Sequence, residues 1–212
     1  ILEFYNKYLI MRPRVIPCLL LNGCDLVKTK RFGNGRYLGD PINVVRIFNE
    51  KEVDEIVFLD ISIDRYINGP NYELIGEIAN ECFMPLAYGG GIKSIEHAKS
   101  VFDIGFEKIS INTSAVEQPG LIKELSDYFG SQAIIVSIDV SRGILGSKQI
   151  RTYGGNKKHS IDPIEFSKMA ESLGAGEILL TSINQEGTWN GFDIELIKSV
   201  SNSINIPVIA NG

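Results

Sequence analysis

A run of three glycines ends a short apolar segment and could bind a phosphate. The apolar residues 84–88 are followed by Gly89-Gly90-Gly91, and a segment with a helical pattern begins soon afterwards. Glycine lets the backbone approach a ligand closely with bare N–H groups, and the N-terminus of a following helix adds partial positive charge. The alternative is a strand-to-helix turn that needs positive φ. Three consecutive glycines favour an anion-binding turn.

Asp139 is the strongest candidate for a general acid or base, because it directly follows the largely apolar residues 134–138. A carboxylate at the end of a buried strand can lose its water shell, which raises its pKa towards neutrality. The plain alternative is that Asp139 caps the next turn. His97 and His159 are the two histidines, too few for a multi-histidine metal site. The sequence therefore predicts neither a metal nor a cofactor.

The composition describes one globular domain with a sizeable core, since 44% of the 212 residues are apolar and 22% are charged. A net charge of -5 argues against nucleic acid and anionic membranes as partners. No apolar run approaches the roughly 20 residues of a membrane span. Cys18, Cys24 and Cys82 show no paired spacing, so we expect a reducing, cytoplasmic location without structural zinc.

Short apolar runs alternate with longer amphipathic segments, a pattern typical of a parallel sheet covered by helices. The seven predicted strands are residues 15–21, 55–60, 84–88, 108–112, 133–139, 177–183 and 207–210. The predicted helices are residues 41–52, 72–82, 95–104, 119–129, 163–173 and 194–203.

An internal repeat decides between an open doubly wound sheet and a closed (β/α)8 barrel. Asp40-Pro41 recurs as Asp162-Pro163, at an offset of about 120 residues that is far longer than a solenoid repeat. Two homologous four-strand halves make a barrel, whereas an open sheet would be expected to carry a GxGxxG fingerprint, which the triple-glycine turn lacks. We therefore predict a TIM barrel built from two half-barrels.

The repeat also sets the expected domain boundaries. It places the eighth strand beyond residue 212, so we expect residues 11–212 to form one barrel domain without its last strand and helix. Residues 1–10 are expected to be an extension outside the fold.

Active sites of such barrels lie at the C-terminal ends of the strands. Besides Asp139 and the glycine turn, these ends include Leu20, Asp60, Asn112-Thr113 and residues 184–187. The basic, glycine-rich residues 28–36 follow the first strand. They are either a mobile lid over an anionic substrate or an ordinary solvated loop.

Together these residues closely resemble the cyclase subunit of imidazole glycerol phosphate synthase. The resemblance extends from about Arg14 to the last residue. It is carried by Cys18-Leu19, Lys28, Gly39-Asp40-Pro41, Phe58-Leu59-Asp60-Ile61, Gly89-Gly90-Gly91-Ile92, Ser110-Ile111-Asn112-Thr113, Phe129-Gly130-Ser131-Gln132-Ala133, Ile138-Asp139 and residues 174–183.

The resemblance implies a duplicated (β/α)8 subunit of a glutamine amidotransferase complex. Such a subunit takes ammonia from a glutaminase at the bottom of the barrel and turns a bis-phosphorylated ribulosyl aminoimidazole carboxamide into imidazole glycerol phosphate for histidine. The two phosphates belong to the two half-barrels. The implied substrate- and phosphate-binding residues are Lys28, Gly90, Gly91, Asn112, Thr113, Gly187 and Gly212.

The family also has a charged ring at the barrel bottom that gates the entry of ammonia. Its positions are filled here by Arg14, Glu55, Lys108 and Glu177, which we call the bottom ring. This supports a glutaminase partner, and the alternative is an ordinary ring of salt bridges.

The mouth departs from the family pattern. The first catalytic aspartate of the family should lie two residues after Cys18, where this chain has Leu20, and leucine has no proton to transfer. Residues 184–188 read Asn-Gln-Glu-Gly-Thr instead of Asp-x-Asp-Gly-Thr, and Trp189 follows. This profile resembles the paralogous branch linked to acetamidino sugars of surface polysaccharides, in which the subunit looks like an ammonia source for a separate sugar amidotransferase. A cyclase working without the first aspartate is the main alternative. A non-catalytic scaffold and the isomerase relative of this fold are the others.

Overall fold

The computed structural model describes residues 13–63, 65–143 and 146–212, so the extension predicted for residues 1–10 lies outside the described residues. In chain order the strands are β1 (Cys18–Asn22), β2 (Asp25–Lys28), β3 (Arg36–Gly39), β4 (Ile56–Asp60), β5 (Leu86–Gly89), β6 (Lys108–Ile111), β7 (Ile134–Arg142), β8 (Lys148–Thr152), β9 (Lys157–His159), β10 (Glu177–Ser182) and β11 (Val208–Asn211).

The helices lie between the strands, and each predicted helix is present. They are α1 (Pro41–Lys51), α2 (Arg65–Asn68), α3 (Tyr72–Glu81), α4 (Ile95–Ile104), α5 (Thr113–Glu117), α6 (Gly120–Phe129), α7 (Pro163–Ser172) and α8 (Ile194–Ser201), with a 3-10 turn at Ser131–Ala133. None of the described helices is long and apolar enough to cross a membrane.

The sheet contains the seven predicted parallel strands in the order β11-β10-β7-β6-β5-β4-β1. Two antiparallel hairpins extend it. One, β2 and β3, pairs with β1, and the other, β8 and β9, pairs with β7. The sequence pattern did not predict these hairpins. Within residues 28–36, Lys28 ends β2, Arg36 begins β3, and the residues between them form the loop that connects the two strands.

The sheet curls, because residues near its two sides come into contact. Arg14 precedes β1, and its Nη2 lies 2.5 Å from Oε1 of Glu177, the first residue of β10. β10 and β1 are separated by four strands in the sheet, so this contact requires the strands to bend round a common axis. The predicted barrel fold, in the form of parallel strands curled into part of a barrel, is confirmed.

Two apolar clusters lie on opposite faces of the curled sheet. Val57, Ala87, Ile135 and Leu179 form the inner cluster, one residue from each of four strands. The alternate residues of the same strands, such as Phe58 and Ile178, pack into a larger cluster with the helices. This alternation, with period two, determines which side chains line the inside of the barrel.

The two halves begin with the same motif. In each, a parallel strand leads into an antiparallel hairpin and then into a helix that starts with proline. The N-cap carboxylate of Asp40 accepts a hydrogen bond from the N–H of Asn43 at 2.9 Å, and that of Asp162 accepts one from the N–H of Ile164 at 2.8 Å. Aspartate as N-cap and proline at the first position both favour helix initiation, so the Asp-Pro repeat marks equivalent places in the fold.

Candidate functional site

Asp139 lies at the barrel mouth, on the inward face of β7. Its Oδ1 accepts a hydrogen bond from Oγ of Ser137 at 3.5 Å, and it lies opposite Thr181 of β10 in the sheet register. Burial raises the pKa of Asp139 to about 7, although hydrogen bonds from Thr181 and Ser137 and the positive charge of Arg65 act against this. A carboxyl group with this pKa can accept or donate a proton near neutral pH.

The side chains across the barrel from Asp139 supply no second acid. Cys18 and Leu20, two inward-facing residues of β1, both line a cavity at the mouth. Burial, with the negative charges of Asp139 and Glu186, raises the pKa of the Cys18 thiol to about 12. The thiol is therefore protonated at neutral pH and is a poor nucleophile. Leu20 places an alkyl group where the resemblance leads one to expect a carboxylate.

The bottom ring is assembled at the opposite end of the barrel. Nη1 of Arg14 and Nζ of Lys108 each lie 2.8 Å from Oε2 of Glu55. The same two cations also contact Glu177, at 2.5 Å and 3.2 Å. Thus each cation bridges both carboxylates, and four residues from four separate strands or strand starts form one closed network.

Three of the four side chains in this network are largely buried. The side chains of Glu55, Glu177 and Lys108 are only 3%, 11% and 16% exposed. Burial alone would lower the pKa of Arg14, but the hydrogen bond and charge of Glu177, with the charge of Glu55, outweigh it and raise that pKa. Two positive and two negative charges balance, which is the condition under which buried ions are tolerated.

The predicted phosphate-binding residues of the first half lie on neighbouring strand ends. Gly90 and Gly91 follow β5, Asn112 follows β6, and these strands pair directly. Oγ of Ser114 donates to the carbonyl of Ile92 at 2.8 Å, which joins the two turns. Asn112 precedes α5 but makes no side-chain capping bond to it, and the first N–H groups of a helix have no intrahelical acceptor.

Two of these residues already have protein partners. The amide of Asn112 donates to the carbonyl of Ser137 at 3.0 Å, and Oγ1 of Thr113 accepts from the N–H of Tyr153 at 3.1 Å. Ser137 is in β7 and Tyr153 follows β8, so the first bond joins two strands of the barrel and the second attaches the second hairpin to the mouth. Oγ1 of Thr113 in turn donates to Oδ1 of Asn112, at a long distance of 3.4 Å.

The glycine turn is required by its packing, whatever it binds. Gly90 and Gly91 have φ of 128° and 71°. A Cβ on Gly91 would lie 2.8 Å from the carbonyl oxygen of Arg65, and one on Gly90 would lie 2.7 Å from that of Asp60. The turn therefore needs positive φ, as the alternative explanation of the glycines stated. Phosphate binding there stays a prediction.

The remaining predicted ligand-binding residues meet in one cavity. Lys28, Gly187 and Gly212 line a space of about 530 Å³ beside Leu20. Gly187 has φ of 65°, and a Cβ there would collide with the carbonyl oxygen of Thr29. The loop after β2 and the loop after β10 are thus in close contact over the mouth.

Glu186 connects these two loops. Its carboxylate accepts hydrogen bonds from Oγ1 of Thr29 at 2.8 Å and from the N–H of Phe32 at 3.0 Å, and its carbonyl accepts from the N–H of Arg31 at 3.0 Å. Residues 29–32 are therefore hydrogen-bonded to the second half of the barrel, with Thr29 buried and the side chains of Lys30 and Arg31 exposed.

Asp60 plays a different part from the other strand ends. Its Oδ1 accepts hydrogen bonds from the N–H and the hydroxyl of Ser62 at 2.8 Å and 2.6 Å, and Oδ2 lies 3.4 Å from the hydroxyl of the buried Tyr88. These bonds hold the turn after β4. The carboxylate of Asp60 therefore has a structural role. Among the described residues, no group of three or more His, Cys, Asp or Glu side chains could hold a metal ion.

Sequence reasoning missed the polar neighbours of Asp139. Thr181 bonds to its carboxyl group, and the amide of Asn211 donates to Oγ1 of Thr181 at 3.2 Å. Thr181 is two residues beyond the inward-facing Leu179 and four beyond Glu177. Counting every second residue from the bottom ring would therefore have found it.

Comparison with known proteins gives one consistent family. Residues 14–212 match the family described as histidine biosynthesis protein. A provisionally named imidazole glycerol phosphate synthase subunit, hisF2, of Pseudomonas aeruginosa is 48% identical, over 96% of this chain and 81% of that protein. A similarly named subunit of Leptospira interrogans is 44% identical, over 96% and 80%. Imidazole glycerol phosphate synthase subunit HisF of Thermobifida fusca is 41% identical, over 94% and 80%.

Proposed function

The chain belongs to the histidine biosynthesis protein family, among relatives named imidazole glycerol phosphate synthase subunits, and from this we propose that it delivers ammonia rather than acting as a full cyclase. A glutaminase subunit bound at the bottom ring would release ammonia into the barrel. The ammonia would leave at the mouth for an acetamidino sugar of a surface polysaccharide, made by a separate sugar amidotransferase.

One observation carries the proposal, namely that the four charged positions of the bottom ring are all filled, while the mouth has Asp139 but no second acid opposite it. The bottom ring has all four of its charged residues, in mutual contact and largely buried. At the mouth, Leu20 stands where the resemblance implies the first catalytic aspartate, and it lies in an apolar part of the cavity with Val27 and Leu38. Asp139 is then left to do acid–base chemistry alone.

The inner surface of the barrel suits the passage of a small neutral molecule. Above the bottom ring lies the inner cluster of Val57, Ala87, Ile135 and Leu179, which would reject ammonium ions and favours neutral ammonia. The hydroxyl of Ser110, on the inward face of β6, is buried and has no hydrogen-bond partner among the described residues. Such a group is costly to bury alone, and a passing ammonia or water molecule would satisfy it.

A phosphorylated ligand at the mouth is the second part of the proposal. Gly91, Asn112 and Thr113 would hold one phosphate through backbone N–H groups and the hydroxyl. Gly187 and Gly212, with Lys28, would hold an anion in the 530 Å³ cavity. Both sites face the same mouth, so ammonia would emerge beside the bound ligand.

The alternative function is the cyclase of histidine biosynthesis, and one observation favours it. Asp139 has a pKa of about 7, which suits a general acid or base at physiological pH. A cyclase that used Asp139 without a second carboxylate would be slower, because removing one acid–base group typically costs about 10²- to 10⁴-fold in rate.

The decisive experiment supplies ammonia directly. The full-length protein, given ammonium salts and the ribulosyl aminoimidazole carboxamide substrate, should form imidazole glycerol phosphate at less than about 1% of the rate of an authentic cyclase. Leu20→Asp should raise this rate by at least tenfold, and Leu20→Asn, of similar size and without a proton to transfer, should not. A wild-type rate equal to that of the cyclase would establish the alternative function.

A second experiment tests delivery itself. With its glutaminase and a sugar amidotransferase, the protein should support glutamine-dependent amidination of the sugar, and nitrogen from ¹⁵N-amide glutamine should reach the product despite unlabelled ammonium in the medium. Complete dilution of the label would show that ammonia does not travel through this subunit.

A further inference from the structure

Trp189 has an unusual position for the largest apolar side chain of the protein. It is the single tryptophan of the 212 residues, it lies in the loop after β10, and it is 88% exposed. Its backbone has φ of 65°. Nζ of Lys28 lies 3.9 Å from the centre of its ring, in a cation–π contact.

This arrangement is unfavourable for the protein alone. A bulky side chain at positive φ is a strained conformation that typically costs on the order of 1 to 3 kcal/mol. Tryptophan normally repays its size by burying apolar area, and here nearly all of that area faces water. Neither packing nor backbone geometry therefore explains why an indole occupies this position.

The surroundings of Trp189 have the composition of a binding site. It lines the 530 Å³ cavity, whose apolar wall includes Leu20 and Leu38. The carboxylate of Glu186 is already engaged by Thr29 and Phe32. The ammonium of Lys28 is the positive charge that lines this cavity, and it lies directly against the indole.

We infer that Trp189 is a specificity-determining residue that stacks on the ring of a phosphorylated ligand, a sugar phosphate or a nucleotide. The phosphate would bind the ammonium of Lys28, which lies over one face of the indole at 3.9 Å from the ring centre, and the attached ring would stack on the other, exposed face. Stacking on an aromatic side chain tolerates many ring types, while the cation selects those that carry a phosphate. This inference rests on the proposed function, since it names the ligand class of the same mouth.

A simpler role for Trp189 makes a different prediction. If the indole only held Lys28 in place, its loss would weaken the binding of every anion equally. If it stacks on the ligand, its loss weakens ring-bearing phosphates and leaves inorganic phosphate unaffected. The two roles are separated by comparing ligands on one variant.

Binding to the full-length protein is measured by calorimetry with three probes: inorganic phosphate, ribose 5-phosphate and uridine 5′-monophosphate. Trp189→Ala should weaken one or both ring-bearing probes by about tenfold, as expected for one stacking contact, and change inorganic phosphate by less than twofold. Trp189→Phe should retain most of the affinity. Phe192→Ala is the control, since Phe192 is half-exposed in the same loop and does not line the cavity.

The change in tryptophan fluorescence provides an independent readout. Subtracting the spectrum of Trp189→Phe isolates the signal of this indole, which should be quenched when a ring-bearing phosphate binds. An equal loss of affinity for all three probes in Trp189→Ala, or binding of neither ring-bearing probe to the wild type, would overturn the inference. None of these measurements uses glutaminase or ammonia, so the proposed delivery function can fail independently.

Discussion

The two ends of the barrel use charge in opposite ways. In the bottom ring every carboxylate is in contact with two cations, and the four charges cancel. At the mouth, Asp139 bonds to the hydroxyl groups of Ser137 and Thr181, and its pKa is raised to about 7. The bottom end therefore keeps its charges constant, whereas the mouth has a group that changes charge at physiological pH.

The largest effect is expected from reversing one charge of the bottom ring. Lys108→Glu places a third carboxylate beside Glu55 and Glu177. It should lower the free energy of unfolding by about 3 to 5 kcal/mol, the typical cost of removing one partner of a buried ion pair. Urea unfolding measures this free energy of unfolding. The rate of glutamine-dependent ammonia transfer should fall in the same variant. Lys123→Glu is the control, because Lys123 and its partner Asp127 are both 62% exposed and such pairs are worth less than about 1 kcal/mol. An equal loss of unfolding free energy in both variants would show that the bottom ring stabilises the fold no more than a surface ion pair does.

Glycine at the mouth should be less replaceable than glycine at the bottom end. Gly91→Ala should destabilise the protein by about 2 to 3 kcal/mol, since it adds strain at positive φ and overpacking against Arg65. Gly105 ends α4 with φ of 119° and has nothing within 4 Å of an added Cβ, so Gly105→Ala should cost only about 1 kcal/mol. Thermal unfolding of the two variants would contradict this if the order were reversed.

The pH dependence of stability should reveal Asp139. Its pKa is about 7 in the folded protein and about 3.9 in the unfolded chain. The folded state therefore binds more protons between these values, and stability falls as pH rises through that window. Asp139→Asn lacks this fall, so between pH 5 and pH 8 the wild type should lose about 2 kcal/mol of stability relative to the variant. This is less than the full pKa difference implies, because Asp139 is partly exposed. Parallel stability curves for the two proteins would show that Asp139 has an ordinary pKa.

The smallest effect on stability is expected at an exposed aromatic near the bottom ring. Phe83 is 89% exposed just before β5, so Phe83→Ala should change the unfolding free energy by less than about 0.5 kcal/mol. If the glutaminase docks at this end, the same change should weaken the complex about tenfold, as loss of an aromatic anchor does. Ile67→Ala is the control, because Ile67 is 78% exposed on α2, at the mouth end. Equal binding by both variants would place the partner elsewhere.

The sequence predicted the parallel strands and the helices because their signal is local. Buried strands such as β7 begin with a run of apolar residues, and Asp-Pro marks the starts of α1 and α7. The hairpins were missed because their strands are partly exposed. All of Arg36–Leu38 faces solvent, for example, and its pairing depends on β2 rather than on an apolar pattern of its own.

The parts of the site that one residue type at one position reveals were predicted from the sequence. The contacts that depend on how neighbouring strands align were missed. Asp139 and the bottom ring are visible in the sequence, by position and by resemblance. The bonds that Thr181 and Asn211 make at the mouth depend on how β7, β10 and β11 align. The contact of Lys28 with Trp189 joins residues from opposite halves of the chain, so no local pattern announces it.

The bottom ring has a consequence for the kinetics of folding. Its hydrogen bonds join residues 41, 53, 69 and 163 positions apart in the chain. Contacts of such long range form only after the intervening strands are in place, because each must first overcome the entropy of closing a large loop. Interactions absent from the folding transition state slow unfolding without accelerating folding. The bottom ring is therefore expected to slow the unfolding of the native barrel and to leave its folding rate unchanged.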